Sequence, residues 1–372
     1  MGRGLLEFIT PEGVDEIARE HGFRQDIVEH FLMDYLVHQR VTEGIRCVTK
    51  GGMCMPFYQS GGTLQRLSVD VDLATKLPPA SVDSAAKLAA DLPNVTEVRM
   101  HDPPLKATPK NNLVTYDVHY KSCVGPMSSV KVDFLYGLDF DYETSTVPAG
   151  AEIIGFEIPH EMEILTRSAL MADKIGTLAM GTIGVEEHRV GEVAKQVFDV
   201  GILLSGATVE DISGFFAEFA NMLTAEKTIH SKPELGARAV VDSIGAALAR
   251  MQDMAGDIRF TGAGKKNYED FRSAYISQEV PYYRNDHHAN ILSLRVLNRL
   301  MGQVLDGRDG KAAATDMAKI LADAGSVSDY HHVRELYGRP VREATGMREK
   351  RLERMDARLS CLLCAHAALT MG

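Results

Sequence analysis

The chain has few cysteines, a shortage of basic residues and no long apolar run. Its five cysteines (Cys47, Cys54, Cys123, Cys361 and Cys364) are odd in number and scattered, which excludes a disulfide framework and suits reduced, mostly buried thiols. Cys361 and Cys364 form a lone C-x-x-C in an apolar, helix-like run with no partner pair, so core packing is expected there rather than a metal site. Lys and Arg number 40 against 51 Asp and Glu, a formal charge of −11 that argues against an indiscriminate nucleic-acid binder. A local basic face remains compatible with that total. No stretch approaches 18 uninterrupted apolar residues and the N-terminus has no long h-region, so no membrane association and a cytoplasmic location are expected. No internal repeat or low-complexity tract stands out.

What is present is an ordinary globular composition, 24% charged and 45% hydrophobic, over 372 residues, enough for two domains. Residues Pro11 to Arg40 read as two helices punctuated by Gly22. Arg46 to Lys50 reads as a short strand, and Ala80 to Leu92 as a helix with Ser81 as its cap. The period then changes to two over Val95 to Met100, Leu113 to Tyr120 and Ser129 to Tyr136, with a further short strand at Glu152 to Ile158. From Pro159 the pattern is almost wholly helical: Glu161 to Met180, Val185 to Leu204, Val209 to Leu223, Pro233 to Met254, Asn267 to Ile276, Ala289 to Val304, Gly310 to Asp323 and Val341 to Leu369. The organisation is a mixed α+β half followed by a helical half.

The chemistry concentrates in Lys50 to Leu73, KGGMCMPFYQSGGTLQRLSVDVDL. Its end alternates, so a strand would carry Ser68, Asp70 and Asp72 on one face and Leu67, Val69, Val71 and Leu73 on the other. Two carboxylates at that spacing repel unless a divalent cation or a proton neutralises them. The Gly-rich turn upstream offers unhindered backbone N–H groups for phosphate oxygens. Asp133, flanked by Val132 and Phe134, supplies a third strand carboxylate. Phosphate cradle and paired carboxylates together indicate Mg²⁺–nucleotide chemistry, in which metal ions activate an attacking hydroxyl and stabilise leaving pyrophosphate.

The pattern Lys50-Gly51-Gly52, then Arg66-Leu67-Ser68-Val69-Asp70-Val71-Asp72, resembles the AbiEii/AbiGii-type nucleotidyltransferase toxins, MenT toxins included, of the DNA polymerase β-like nucleotidyltransferase superfamily. Two later helical motifs of those families are matched by Lys174 in LMADKI and Asp199 in KQVFDV. The resemblance covers roughly residues 40–205. It implies a polymerase β-like nucleotidyltransferase core (1–158, a mixed sheet with an N-terminal helical brace) and a helical part of the active site (159–205), and the helical pattern beyond them reads as a helical C-terminal domain (206–372). The resemblance implies transfer of a nucleoside monophosphate from an NTP to an acceptor, with Mg²⁺ (or Mn²⁺) held by Asp70, Asp72 and Asp133. Lys50, Gly51, Gly52, Arg66 and Ser68 would bind the nucleotide, Lys174 would neutralise phosphate charge, and Asp199 would orient it or the acceptor hydroxyl. Arg189 and Lys195 are secondary candidates. The family's better-known members act on the 3′ end of tRNA as toxins with a separately encoded antitoxin, so RNA and an antitoxin are the partners the resemblance implies, in a toxin–antitoxin or phage-defence setting. A small-molecule or protein acceptor, and a non-catalytic nucleotide-binding relative, are the alternatives.

There is one departure. The family usually has Thr or Ser after the Gly-Gly, and here Met53 stands there; either backbone N–H groups suffice or a hydroxyl comes from elsewhere, such as Thr63. His287-His288 and His331-His332 lack the spacing of a metal site. Lys265-Lys266 with Tyr268, and Tyr282-Tyr283-Arg284, read as solvated loops, with RNA contact as the alternative, and Arg334 to Arg358 reads as largely an exposed, charge-paired helix, with a basic face for the acceptor nucleic acid as the alternative.

Overall fold

In the computed structural model the described residues are 4–59, 64–101, 111–138, 141–186, 190–256, 262–337 and 352–371. The chain divides into two compact units: Met1–Leu170 with Thr224–Pro233 and Arg272–Pro281, and Met171–Leu223 with Glu234–Phe271 and Tyr282–Gly372.

The first unit starts with helices α1 (Leu5–Phe8), α2 (Pro11–His21) and α3 (Gln25–Thr42). The expected pair of helices is α2 and α3. Thr10 caps α2 through Gly13 N–H, and Gly22, at φ +65°, ends it in the left-handed region. The strands are β1 (Val48–Lys50), β2 (Val71–Thr75), β3 (Val95–Met100), β4 (Leu113–Tyr120), β5 (Ser128–Tyr136), β6 (Thr144–Val147), β7 (Glu152–Ile153), β8 (Phe156–Glu157) and β9 (Met162–Leu165). Seven form a mixed sheet in the order β3-β4-β5-β2-β1-β9-β6. Pairs β2–β5 and β1–β9 are parallel and the other four are antiparallel. Val71, Leu73, Val132 and Phe134 are buried on one face, with α3 packed over β5. Phe31 and Tyr35 of α3 stack edge-on with each other and with Phe156.

Several local expectations are corrected. The strand carrying the aspartates begins only at Val71, because Gln65 to Leu67 bond instead to Tyr275–Ser277: Leu67 N–H to the Tyr275 carbonyl, Ser277 N–H to that of Gln65. Ser68 and Asp70 therefore precede the strand. Helix α4 (Pro79–Lys87) starts after Pro78 with no side-chain cap; Ser81 lies inside it, and Leu88–Asp91 continue as a 3₁₀ turn. Residues 152–158 make the β7–β8 hairpin, turned by Ile154 and Gly155 at φ 37° and 86°, instead of one strand. Residues 162–165, expected to be helical, form β9: Met162, Ile164 and Leu165 are buried and the segment pairs with both β1 and β6. Tertiary pairing overrides a pattern that resembles the helix after it.

Helices α5 (Arg167–Gly176), α6 (Val190–Ser205), α7 (Val209–Ile229), α8 (Ala237–Gly256), α9 (Gly262–Tyr275), α10 (Arg284–Leu305), α11 (Gly310–Ser326), α12 (Tyr330–Tyr337) and α13 (Ala357–Met371) follow. In the second unit α10 is the hub, packed by α6, α8, α11 and α13. Cys361 and Cys364 are buried in α13 as free thiols, so they belong to the core. Tyr268 and Tyr282, expected in solvated loops, are 8% and 5% exposed, and the Tyr268 hydroxyl donates to the Tyr282 carbonyl. His287 and His288 are buried on α10, while His331 and His332 lie on α12. Lys265 and Lys266 pair with Glu269 and Asp270 one turn on. Most of Arg334 to Arg358 lies outside the described residues. No described helix is long and apolar enough to cross a membrane.

Candidate active site

The candidate site of the first unit is built on the sheet's centre. Strand register sets Lys50 opposite Asp72, Asp72 beside Asp133, and Asp133 opposite Thr115. Cross-strand partners share a face, so one row runs cation, carboxylate, carboxylate, hydroxyl across β1, β2, β5 and β4. Thr115 Oγ1 donates to Asp133 Oδ1, which fixes the rotamer of that carboxylate. Asp70 stands two residues before Asp72, at the entry to β2. His30 of α3 lies within its field: burial lowers the imidazole pKa, and Asp70 pushes it back up.

The turn after β1 is pressed against this row. Gly51 has φ +66°, and a β-carbon there would stand 1.8 Å from Asp72 Oδ2. At Gly52 a β-carbon would stand 2.1 Å from Ser68 Oγ and 3.1 Å from Arg66 Nη2. Both positions require glycine. Ser68 Oγ is buried with no hydrogen-bond partner, a hydroxyl held directly behind the turn. Arg66 is 2% exposed and its Nη1 donates 2.8 Å to the Leu67 carbonyl. Lys50 is buried; its Nζ lies 3.1 Å from the Tyr142 hydroxyl and 4.9 Å from the centre of that ring.

Met53 points into the core. The segment Gly51–Tyr58 is a 3₁₀ helix in which Met53, Cys54 and Met55 are buried. The Tyr35 hydroxyl donates to the Met53 carbonyl at 3.2 Å, and Cys54 Sγ to the Thr49 carbonyl at 3.2 Å. The methionine thus anchors the turn, and Thr63 lies outside the described residues. Behind β1, His38 bonds Thr49 Oγ1 at 2.7 Å and His160 at 3.1 Å; burial pushes its pKa down to about 3.

In the second unit, Lys174 of α5 and Asp199 of α6 form an ion pair at 2.8 Å. Both are buried, at 3% and 0% exposure, so the apolar neighbours of Asp199 are compatible with a charge because Lys174 answers it. Lys195 lies one turn earlier on α6, and Arg189 lies outside the described residues. Sequence reasoning did not single out Thr115, Tyr142, His30 or the His38–His160 pair. Thr115 was accessible through pairing of the alternating strands; the others carry no local signal.

A family model described as nucleotidyl transferase AbiEii toxin, type IV TA system, matches residues 34–285, more than half of the chain. The chain belongs to the AbiEii nucleotidyltransferase toxin family. Membership makes it a nucleotidyltransferase, an enzyme of a toxin–antitoxin system with a nucleoside triphosphate as substrate and an antitoxin as partner. Among solved structures it is similar to MenT4, a nucleotidyltransferase toxin from Mycobacterium tuberculosis H37Rv, at 13% identity and a TM-score of 0.40, over 70% of this chain and 99% of that one. No curated protein matches it.

The donor set suits a divalent cation. Asp72 and Asp133 are hard oxygen donors in register, and Asp70 is two residues from the first. Among the described residues no three His, Cys, Asp or Glu side chains form a self-contained metal cage. Mg²⁺ is ordinarily held by one or two carboxylates together with substrate phosphates and water, so an incomplete protein donor set fits it.

Proposed function

We propose that this AbiEii-family enzyme transfers a nucleoside monophosphate from an NTP to the 3′ end of tRNA, with Mg²⁺, in the cytoplasm, as the toxin of its system. The observation that carries the reading is the Lys50–Asp72–Asp133–Thr115 row with Gly51 pressed on Asp72 Oδ2. Asp70, Asp72 and Asp133 would hold the metal, which would supply charge neutralisation at the phosphates. The N–H groups of Gly51 and Gly52 would receive phosphate oxygens, with Ser68 and Arg66 holding the turn from behind and Lys50 at its start. Lys174, as a cation, would answer phosphate charge, and Asp199 would orient that ammonium or the acceptor hydroxyl. The acceptor oxygen bonds to the α-phosphorus as the bond to pyrophosphate breaks, and the acceptor proton passes to solvent or a carboxylate.

The test incubates the protein with each labelled NTP, Mg²⁺ and total tRNA. Label on the tRNA 3′ end, lost at least about 100-fold in Asp70→Ala and Asp72→Ala, is expected. Label on the protein or on a small molecule alone would sink the tRNA reading. Activity that survives Asp70→Ala unaltered would sink the metal reading.

A further inference from the structure

Two carboxylates on neighbouring strands are an electrostatic liability before any metal arrives. Asp72 and Asp133 lie in direct register on parallel strands, which run roughly 4.8 Å apart. Each occupies the face opposite the buried Val71, Leu73, Val132 and Phe134, and neither can turn away without leaving its strand. The row is closed at both ends by groups of the complementary kind. At the Asp133 end, Thr115 donates its hydroxyl. At the Asp72 end stands Lys50, the direct cross-strand partner of Asp72.

Lys50 is poorly disposed to be a simple phosphate ligand. It is 5% exposed, and a buried ammonium is costly unless an anion accompanies it. Its stem is flexible, and it already touches a second seat, the hydroxyl and ring face of Tyr142. We propose that Lys50 is the resident counter-cation of the Asp72–Asp133 pair, balancing it in the metal-free enzyme and yielding to the divalent ion, with Tyr142 receiving the displaced ammonium. One ammonium against the two in-register carboxylates, with Asp70 two residues from the first, leaves the metal-free site short of positive charge. A divalent ion seated on the same oxygens repels the ammonium beside them, so the two cations compete. The proposal rests on the metal-site reading of the row.

The test compares wild type, Lys50→Met, Asp72→Asn and the double variant in two measurements. In EDTA, Lys50→Met is expected to melt several degrees below wild type, and adding Asp72→Asn is expected to recover most of the loss. In Mn²⁺ titrations without nucleotide, followed by electron paramagnetic resonance, Lys50→Met is expected to bind the ion about ten-fold tighter than wild type. Unchanged melting in EDTA, or unchanged or weaker Mn²⁺ binding with only the KM for NTP raised, would overturn the proposal in favour of a phosphate ligand. If Lys50→Met fails to fold and the double variant folds, the counter-charge role stands; if both fail, Lys50 serves packing and the proposal falls. Wild-type Mn²⁺ binding that Asp72→Asn leaves untouched would overturn the metal-site reading itself, while the coupling of Lys50 to Asp72 is still decided by the EDTA series.

Discussion

Single residues carry two sharply divided sets of consequences here. At Gly51 the positive φ and the approach of Asp72 Oδ2 act together, so a methyl group meets both backbone strain and a carboxylate. Gly51→Ala is expected to lower stability by about 2 kcal/mol or more and to cut nucleotidyl transfer at least about 100-fold. Gly236→Ala, where a β-carbon meets open space at the head of α8, is the milder control, expected to cost less than about 1 kcal/mol and to leave transfer unchanged, and both are read by urea unfolding and the labelled-NTP assay. The Lys174–Asp199 pair behaves differently because both partners are buried. Lys174→Met removes the ammonium that faces a buried carboxylate and is expected to cost about 3–5 kcal/mol, most of it recovered when Asp199→Asn is added. A Lys174→Met protein as stable as wild type would contradict the buried pair.

At the scale of elements, the turn after β1 is held from the core side. Met53 is fully buried, and its carbonyl and that of Thr49 accept from Tyr35 and Cys54. Met53→Thr, which restores the residue type usual in the family, is therefore expected to destabilise the protein by about 2 kcal/mol, through lost packing and an added buried hydroxyl. A shift in the urea midpoint at unchanged slope checks this. The same scale explains which elements the pattern misassigned. Residues 162–165 have apolar side chains that suit either period, and only the neighbours β1 and β6 make them a strand. Residues 65–67 alternate like a strand but bond to Tyr275–Ser277, more than 200 positions away, so no local rule could have ended that strand at Val71.

For the whole molecule, buried histidines set the acid limit. Burial pushes His38 down to about 3 in the first unit and His287 and His288 to about 4 in the second, and partial burial lowers His366 to about 4 as well. Each is neutral when folded and takes up a proton near pH 6.5 when unfolded, so the unfolded state binds more protons between those values. Stability is then fully present above about pH 6.5 and is lost as pH falls, by at most about 1.4 kcal/mol per pH unit for each such histidine. Unfolding free energies from pH 8 to 4 are expected to fall steeply below 6.5. His38→Asn is expected to flatten that slope by about one proton while lowering stability at pH 7 through the lost bonds to Thr49 and His160. A pH-independent stability across that range would refute the buried neutral state.

What the sequence by itself determined is the inventory: the glycine turn, Asp70 and Asp72 two apart, the alternating strands, and helices α2, α3 and α10, because these depend on local period and residue type. Asp133 was visible as a strand carboxylate expected to share a metal with Asp70 and Asp72, though not as the in-register partner of Asp72. That register, the closure of the row by Lys50 and Thr115, the choice of Lys174 over Lys195 as the cation bonded to Asp199, and the inward side chain of Met53 were decided only by the tertiary structure. The physical reason is register. A side chain's face follows from its own strand, while its partner follows from which strands lie side by side, and β5 joins β2 across more than 50 intervening residues.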